Sequence, residues 1–122
     1  MLNLNSIVLF SENPADLVEF YKKIIEKDPF FSSGDFTGFE AGSTILFIGP
    51  HENVRGKNKN PERVVLNFET DDVLESFRRI KALGTKVVVE PYHPQGNPKK
   101  LIVTFEDLDG NYFQLVSKNG QG

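Results

Sequence analysis

Two apolar periods alternate along this chain, one of about two residues and one of about 3.6, and the alternation occurs twice. Leu4–Phe10 is a short apolar run that stops at Ser11-Glu12-Asn13-Pro14. Asn13 as N-cap with Pro14 in the first helical position predicts a helix start. Leu17, Val18, Tyr21, Ile24 and Ile25 then recur at helical spacing, with Glu19, Lys22, Lys23 and Glu26 opposite them, and Asp28-Pro29 closes the element. Phe30-Phe31, 36–40 and 44–48 read as short strands, separated by Ser33-Gly34-Asp35 and Ala41-Gly42-Ser43.

Residues 49–62 (GPHENVRGKNKNPE) carry no periodicity and mark a linker. Beyond it Arg63–Phe68 is again strand-like, and Asp71 and Asp72 again precede an apolar stripe of Val73, Leu74, Phe77, Ile80 and Leu83, with Gly84 as the C-terminal stop. Lys86–Glu90 is a strand and 91–100 a Pro/Gly-rich loop. The stretch 101–117 (LIVTFEDLDGNYFQLVS) is a hairpin turning at Asp109-Gly110-Asn111. Gln114 is the one polar residue in the middle of its returning strand.

The order β-α-β-β-β therefore occurs twice, and the copies resemble each other in residues. Residues 16–24 (DLVEFYKKI) superpose on 72–80 (DVLESFRRI), with only Phe20/Ser76 changing chemical class. Residues 42–48 (GSTILFI) superpose on 110–116 (GNYFQLV), which pairs Leu46 with Gln114. Two matches in the same order imply an α+β chain built by duplication. It reads as one domain spanning 1–122, with a first module to about residue 50, a linker over about 51–62 and a second module over 63–122.

Strand side chains alternate between faces. Ser6, Val8 and Phe10 separate from Ile7 and Leu9; Arg63, Val65 and Asn67 from Val64, Leu66 and Phe68; and Tyr112, Gln114 and Val116 from Phe113 and Leu115. The uniformly apolar sets belong under the helices. The mixed sets suit either a solvated sheet face or an apolar surface with a few polar groups that holds a small molecule.

Composition narrows the function classes. Hydrophobic residues make up 39% and charged residues 25%, with eleven Phe available for a core or a pocket. The net charge of −3 gives no electrostatic footprint for nucleic acid, and the basic stretch 55–63 reads as a solvated loop. The absence of cysteine excludes disulfides, thiol catalysis and thiolate metal sites. No apolar run approaches the roughly 20 residues of a membrane span, and the N-terminus lacks a signal-peptide pattern, so the chain is read as cytoplasmic. His51 and His93 each lie in a Pro-containing loop without a partner at ligand spacing and read as surface histidines.

The doubled βαβββ pattern, the ending F-x-D-x-D-G-N-x-x-x-L-V and the helix segment DLVEFY (16–21) resemble the vicinal oxygen chelate superfamily. That group includes glyoxalase I, extradiol dioxygenases, and bleomycin- and fosfomycin-resistance proteins. The resemblance implies two modules joined into an open, cupped eight-stranded mixed β-barrel with the helices outside. It also implies a homodimer and a pocket on the cupped face. Its enzymes hold a divalent metal through His, Glu, His and Glu, and counting from the matching motifs places Ser6, Leu46, Arg63 and Gln114 at those positions. Such a set offers no carboxylate or imidazole, and a guanidinium repels divalent cations. No metal and no other cofactor is therefore expected.

The resulting expectation is a metal-independent small-molecule binding protein of the glyoxalase/bleomycin-resistance type. Ser6, Val8, Phe10, Leu46, Ile48, Arg63, Asn67, Tyr112 and Gln114 would contact the ligand, with Arg63 as charge complement and Asn67 and Gln114 fixing orientation. Net charge favours a cationic ligand and Arg63 an anionic one, so the sign stays open. The alternative is a lyase-, isomerase- or dioxygenase-like enzyme using Arg63 and a base drawn from Glu40, Glu90, Tyr92 or His93. A third reading is a dimeric interaction module with an exposed apolar patch.

Overall fold

A computed structural model describes residues 1–118, and the chain divides between Gly56 and Lys57 into two compact units. The first unit contains β1 (Ser6–Phe10), α1 (Pro14–Ile25), β2 (Phe31–Ser33), β3 (Phe36–Ala41) and β4 (Thr44–Gly49). The second contains β5 (Leu66–Thr70), α2 (Val73–Ala82), β6 (Lys86–Tyr92), β7 (Ile102–Glu106) and β8 (Tyr112–Ser117). Each forms one mixed four-stranded sheet, ordered β1-β4-β3-β2 in the first and β5-β8-β7-β6 in the second. The βαβββ module thus occurs twice, as the duplicated pattern predicts, and the fold is α+β.

Both helices are placed by amphipathicity, and each leaves one face of its sheet uncovered. In the first unit Leu17, Tyr21 and Ile24 of α1 are buried, and α1 packs against β4. The side chains they cover are Ile7 and Leu9 of β1, Leu46 and Ile48 of β4, and Phe39 of β3, which the register aligns on one side. In the second unit the Phe77 ring of α2 lies 5.9 Å from that of Phe105. Phe105 in turn stacks on Phe113 at 5.3 Å, and Val103, Leu115 and Leu66 complete that core. Burying one such side chain is worth about 1.5–3 kcal/mol, so each layer stabilises its own module.

Helix capping divides as the physics of short polar side chains allows. Asp72 Oδ1 accepts from the Glu75 N–H at 3.0 Å, an N-cap of the expected kind. Asn13 sits at the cap position of α1 but makes no side-chain cap bond. Its own N–H donates to the buried Ser11 hydroxyl at 3.0 Å, so Ser11 organises this turn.

Two strand boundaries correct the sequence reading. Residues 63–65 lie outside the fifth strand, which begins at Leu66 and runs on to Thr70, two residues beyond Phe68. Arg63 stands exposed in a turn closed by its own N–H to the Asn60 carbonyl at 3.1 Å. Pro61 fixes the backbone there and cannot donate to a ladder, so the chain enters the sheet only after it has cleared this turn. β6 extends to Tyr92 through Pro91, which its position at the edge of the sheet and its register shifts accommodate.

The third correction concerns faces. Anchoring the repeat on Gly42 and Gly110 pairs Leu46 with Gln114, but Leu46 aligns with Ile7 and Ile48 with Leu9, on the helix-covered side. Their exposures of 3% and 0% agree. The cause is turn length. The β3–β4 turn holds two residues, Gly42 and Ser43, whereas the β7–β8 turn holds five, Asp107 to Asn111. An odd difference in turn length delivers the following strand with its side chains on the opposite face. The position equivalent to Gln114 is Phe47: Gln114 faces Thr104, third in β7, and Phe47 faces Gly38, third in β3.

Candidate ligand-binding faces

The uncovered face of the first sheet is aromatic. Along it Val8, Phe47 and Gly38 form one transverse row that continues to Phe31 on β2, and Phe10 and Gly49 begin the next. Glycine at both positions has a packing reason. A Cβ on Gly38 would stand 2.9 Å from the Phe47 ring, and a Cβ on Gly49 would run into the Phe36 ring. Phe47 and Phe36 therefore lie down on backbone instead of standing away from it. Phe31 meets Phe47 edge-on at 5.9 Å, and Phe10 meets Phe36 at 6.1 Å and 84°. Phe10 also takes the His51 imidazole against its ring at 4.9 Å.

This layer is only partly covered: Phe10 is 38% exposed and Phe31 40%. Ser6, half-buried at the start of β1, is the polar residue that alternation places on the same face.

The uncovered face of the second sheet is polar at its centre. Asn67, Gln114, Thr104 and Val89 form the row equivalent to Val8, Phe47, Gly38 and Phe31. Gln114 Nε2 donates to Thr104 Oγ1 at 3.0 Å, a cross-strand bond made by a half-buried amide and a buried hydroxyl. Asn67 is exposed beside them. In the next row Tyr112 faces Glu106, and Glu106 faces Lys86, whose Nζ lies 3.5 Å from the Glu106 carboxylate. The bond from Gln114 to Thr104 leaves the amide oxygen of Gln114 and the hydroxyl proton of Thr104 as an adjacent acceptor and donor.

Of the residues proposed from sequence, Ser6, Val8 and Phe10 share the uncovered face of the first sheet, and Asn67, Tyr112 and Gln114 that of the second. Leu46 and Ile48 lie under α1, and Arg63 precedes its strand. Sequence reasoning passed over Phe31, Phe36, Phe47 and Thr104. A usable signal was present: within 36–49 glycine stands at Gly38 and Gly49, where rings must lie flat.

The donor set does not fit the metal that the superfamily's enzymes hold. The helix-free face of the first sheet offers the Ser6 hydroxyl and the Glu40 carboxylate, with Phe47 where a second carboxylate would stand. That of the second sheet offers the Thr104 hydroxyl, the Asn67 and Gln114 amides and the Glu69 and Glu106 carboxylates. Neutral amides and alcohols are weak ligands for Zn²⁺, Ni²⁺ or Fe²⁺. Glu106 is paired with Lys86. Among the described residues, no group of three or more His, Cys, Asp or Glu side chains is arranged to hold a metal ion.

The family model that matches this chain is described as the Glyoxalase/Bleomycin resistance protein/Dioxygenase superfamily and covers residues 3–115. Among solved structures, a family enzyme from Burkholderia phytofirmans PsJN is similar at 17% identity and a TM-score of 0.77, over 95% of this chain and 98% of that one. A lactoylglutathione lyase from Agrobacterium tumefaciens is similar at 19% identity and 0.74, over 94% and 92%. The fosfomycin resistance protein FosX from Listeria monocytogenes is similar at 20% identity and 0.66, over 98% and 93%. At these identities the likeness is one of fold. No curated protein matches the sequence significantly. No helix among the described residues is long and apolar enough to cross a membrane.

Proposed function

The chain belongs to the glyoxalase/bleomycin resistance protein/dioxygenase superfamily, and from that premise we propose that it is a small-molecule binding protein that works without a metal. The ligand is held on a helix-free sheet face. The observation that carries this reading is the equivalence of Phe47 and Gln114: two positions that would present carboxylates to a metal present a phenyl ring and a carboxamide instead. The ring sits within an aromatic layer suited to a planar ligand. The amide, anchored on Thr104, offers an oriented acceptor for a ligand donor.

Catalysis built on Arg63 finds less support. An exposed guanidinium in the turn before β5 is not held by a strand and has no fixed aim into a site.

The test combines metal analysis with thermal shift. Purified protein is expected to carry no stoichiometric divalent ion, and its melting temperature to be unchanged by EDTA. A planar aromatic ligand at one hundred times its Kd should stabilise the protein by about 2.7 kcal/mol, and Phe10→Ala should diminish that effect. A stoichiometric metal, or stabilisation by aromatic compounds that Phe10→Ala leaves untouched, overturns the proposal.

A further inference from the structure

His51 is fixed in place more firmly than an exposed loop histidine needs to be. Its carbonyl accepts from the Val54 N–H at 3.0 Å, and the guanidinium of Arg55 approaches the same oxygen at 3.4 Å. Its ring Nδ1 accepts from the Asn53 N–H at 3.0 Å. Glu12, two residues beyond Phe10, ties the far end of the loop by accepting from the Gly56 N–H at 3.0 Å. The ring rests against Phe10 at 4.9 Å and 71°, and Phe10 against Phe36.

A backbone N–H can only donate, so Nδ1 must be the unprotonated nitrogen of the neutral imidazole. Its proton is then on Nε2. No hydrogen bond to Nε2 is formed among the described residues. The imidazole thus ends the row Phe36–Phe10–His51 beside an aromatic layer, with an Nε2–H donor that no other described residue takes up.

We propose that His51 is a ligand-recognition residue of this face, selecting planar aromatic compounds that carry a hydrogen-bond acceptor, above all an anionic one, next to the ring. The inference rests on the small-molecule reading above and supplies what that reading leaves open, the polarity of the ligand. The rings of Phe10 and Phe36 take the apolar plane, and Nε2–H takes the acceptor. A carboxylate so placed makes a charge-assisted bond, and a cationic substituent gains nothing from the same donor.

The test uses 2-naphthoate and its cationic counterpart 2-naphthylmethylammonium as probes, titrated by fluorescence into the wild-type chain, His51→Phe and His51→Gln. Glutamine can place an N–H where Nε2 stands, whereas phenylalanine keeps only the packing. 2-Naphthoate is expected to bind about tenfold more weakly to His51→Phe and to be largely restored by His51→Gln. The ammonium probe should change less than twofold with either variant. Long-range ¹H–¹⁵N spectra should show the proton on Nε2 and a shift of that nitrogen on adding 2-naphthoate. If His51→Phe weakens both probes equally, or neither, or if the proton is on Nδ1, the inference falls and the binding reading stands. If neither probe binds the wild-type chain at millimolar concentration, both fall for this class of ligand.

Discussion

Gln114 and Thr104 face each other across β8 and β7, joined by a 3.0 Å bond from the amide Nε2 to the hydroxyl. Thr104 is 4% exposed, so its hydroxyl has little access to water if the amide is removed. Gln114→Leu and Thr104→Val should each destabilise the chain, and the double variant should cost less than their sum. A coupling of about 1 kcal/mol is expected for a neutral bond of this kind, read from a double-mutant cycle in urea. Strict additivity would show that the two side chains do not depend on each other.

Gly49 lies under the Phe36 ring so closely that a methyl group cannot be added without displacing it. The nearest ring atoms include the one next to Cβ, which cannot swing clear by a small rotation. Gly49→Ala should therefore destabilise the protein by about 1–3 kcal/mol through overpacking, although alanine ordinarily favours the folded state over glycine. Because Phe36 meets Phe10, the same change should weaken aromatic ligand binding. Gly49→Ala together with Phe36→Leu should recover stability without recovering the aromatic layer. Denaturation midpoints and ligand titration separate the two effects.

Lys118 and Asp71 form an exposed pair at 2.7 Å. The hydrogen bond and the negative charge of Asp71 raise the Lys118 ammonium above its ordinary value of 10.5. A cationic group whose folded pKa is raised contributes stability that is fully present below its unfolded pKa. That contribution is lost as pH rises through the folded value. The pair should therefore matter equally from neutral pH to about 10 and fade above 10.5. Asp71→Asn should lower the Lys118 titration midpoint, followed by NMR at the side-chain carbons, and flatten the alkaline loss of stability. An unchanged midpoint would refute the pairing.

The doubled module was legible because its carriers are local: the DLVEFY and DVLESFRRI helices, the aromatic and β-branched strands, and a hairpin marked by Asp-Gly-Asn. The uncovered faces of β1 and β8 were legible for the same reason, since alternation sends Val8 and Leu9, and likewise Phe113 and Gln114, to opposite faces. What stayed hidden depends on geometry between strands. Comparing Gly42 with Gly110 gives no sign that one turn has two residues and the other five, and that difference moves Leu46 and Ile48 under the helix and Phe47 away from it. The apolar pair Val64-Val65 made 63–68 look like a strand, but Pro61 and the turn at Arg63 delay its start. The Nδ1 bond of His51 depends on a loop conformation that no periodicity encodes.

Asp107 is the residue on which the five-residue hairpin closes. It is 4% exposed, and its Oδ1 accepts from the N–H groups of both Asp109 and Asn111 at 2.9 Å. Its Oδ2 accepts from Asn111 Nδ2 at 3.0 Å. Removing the carboxylate leaves two backbone donors and an amide to find new partners, a cost of about 2–4 kcal/mol for Asp107→Ala. Asp107→Asn keeps one oxygen for the two N–H groups but turns its own NH₂ towards that of Asn111, so it should lose roughly half as much. Asn111→Ala in the Asp107→Asn background should then cost no more than the exposed bond that Asn58 Nδ2 donates to Asn111 Oδ1 at 3.0 Å, because the opposed donor is gone. Urea midpoints for the three variants, with slopes unchanged, would confirm this order. Equal losses for Asp107→Ala and Asp107→Asn would mean that the charge, and not the acceptor geometry, holds the turn that delivers Gln114 to its face.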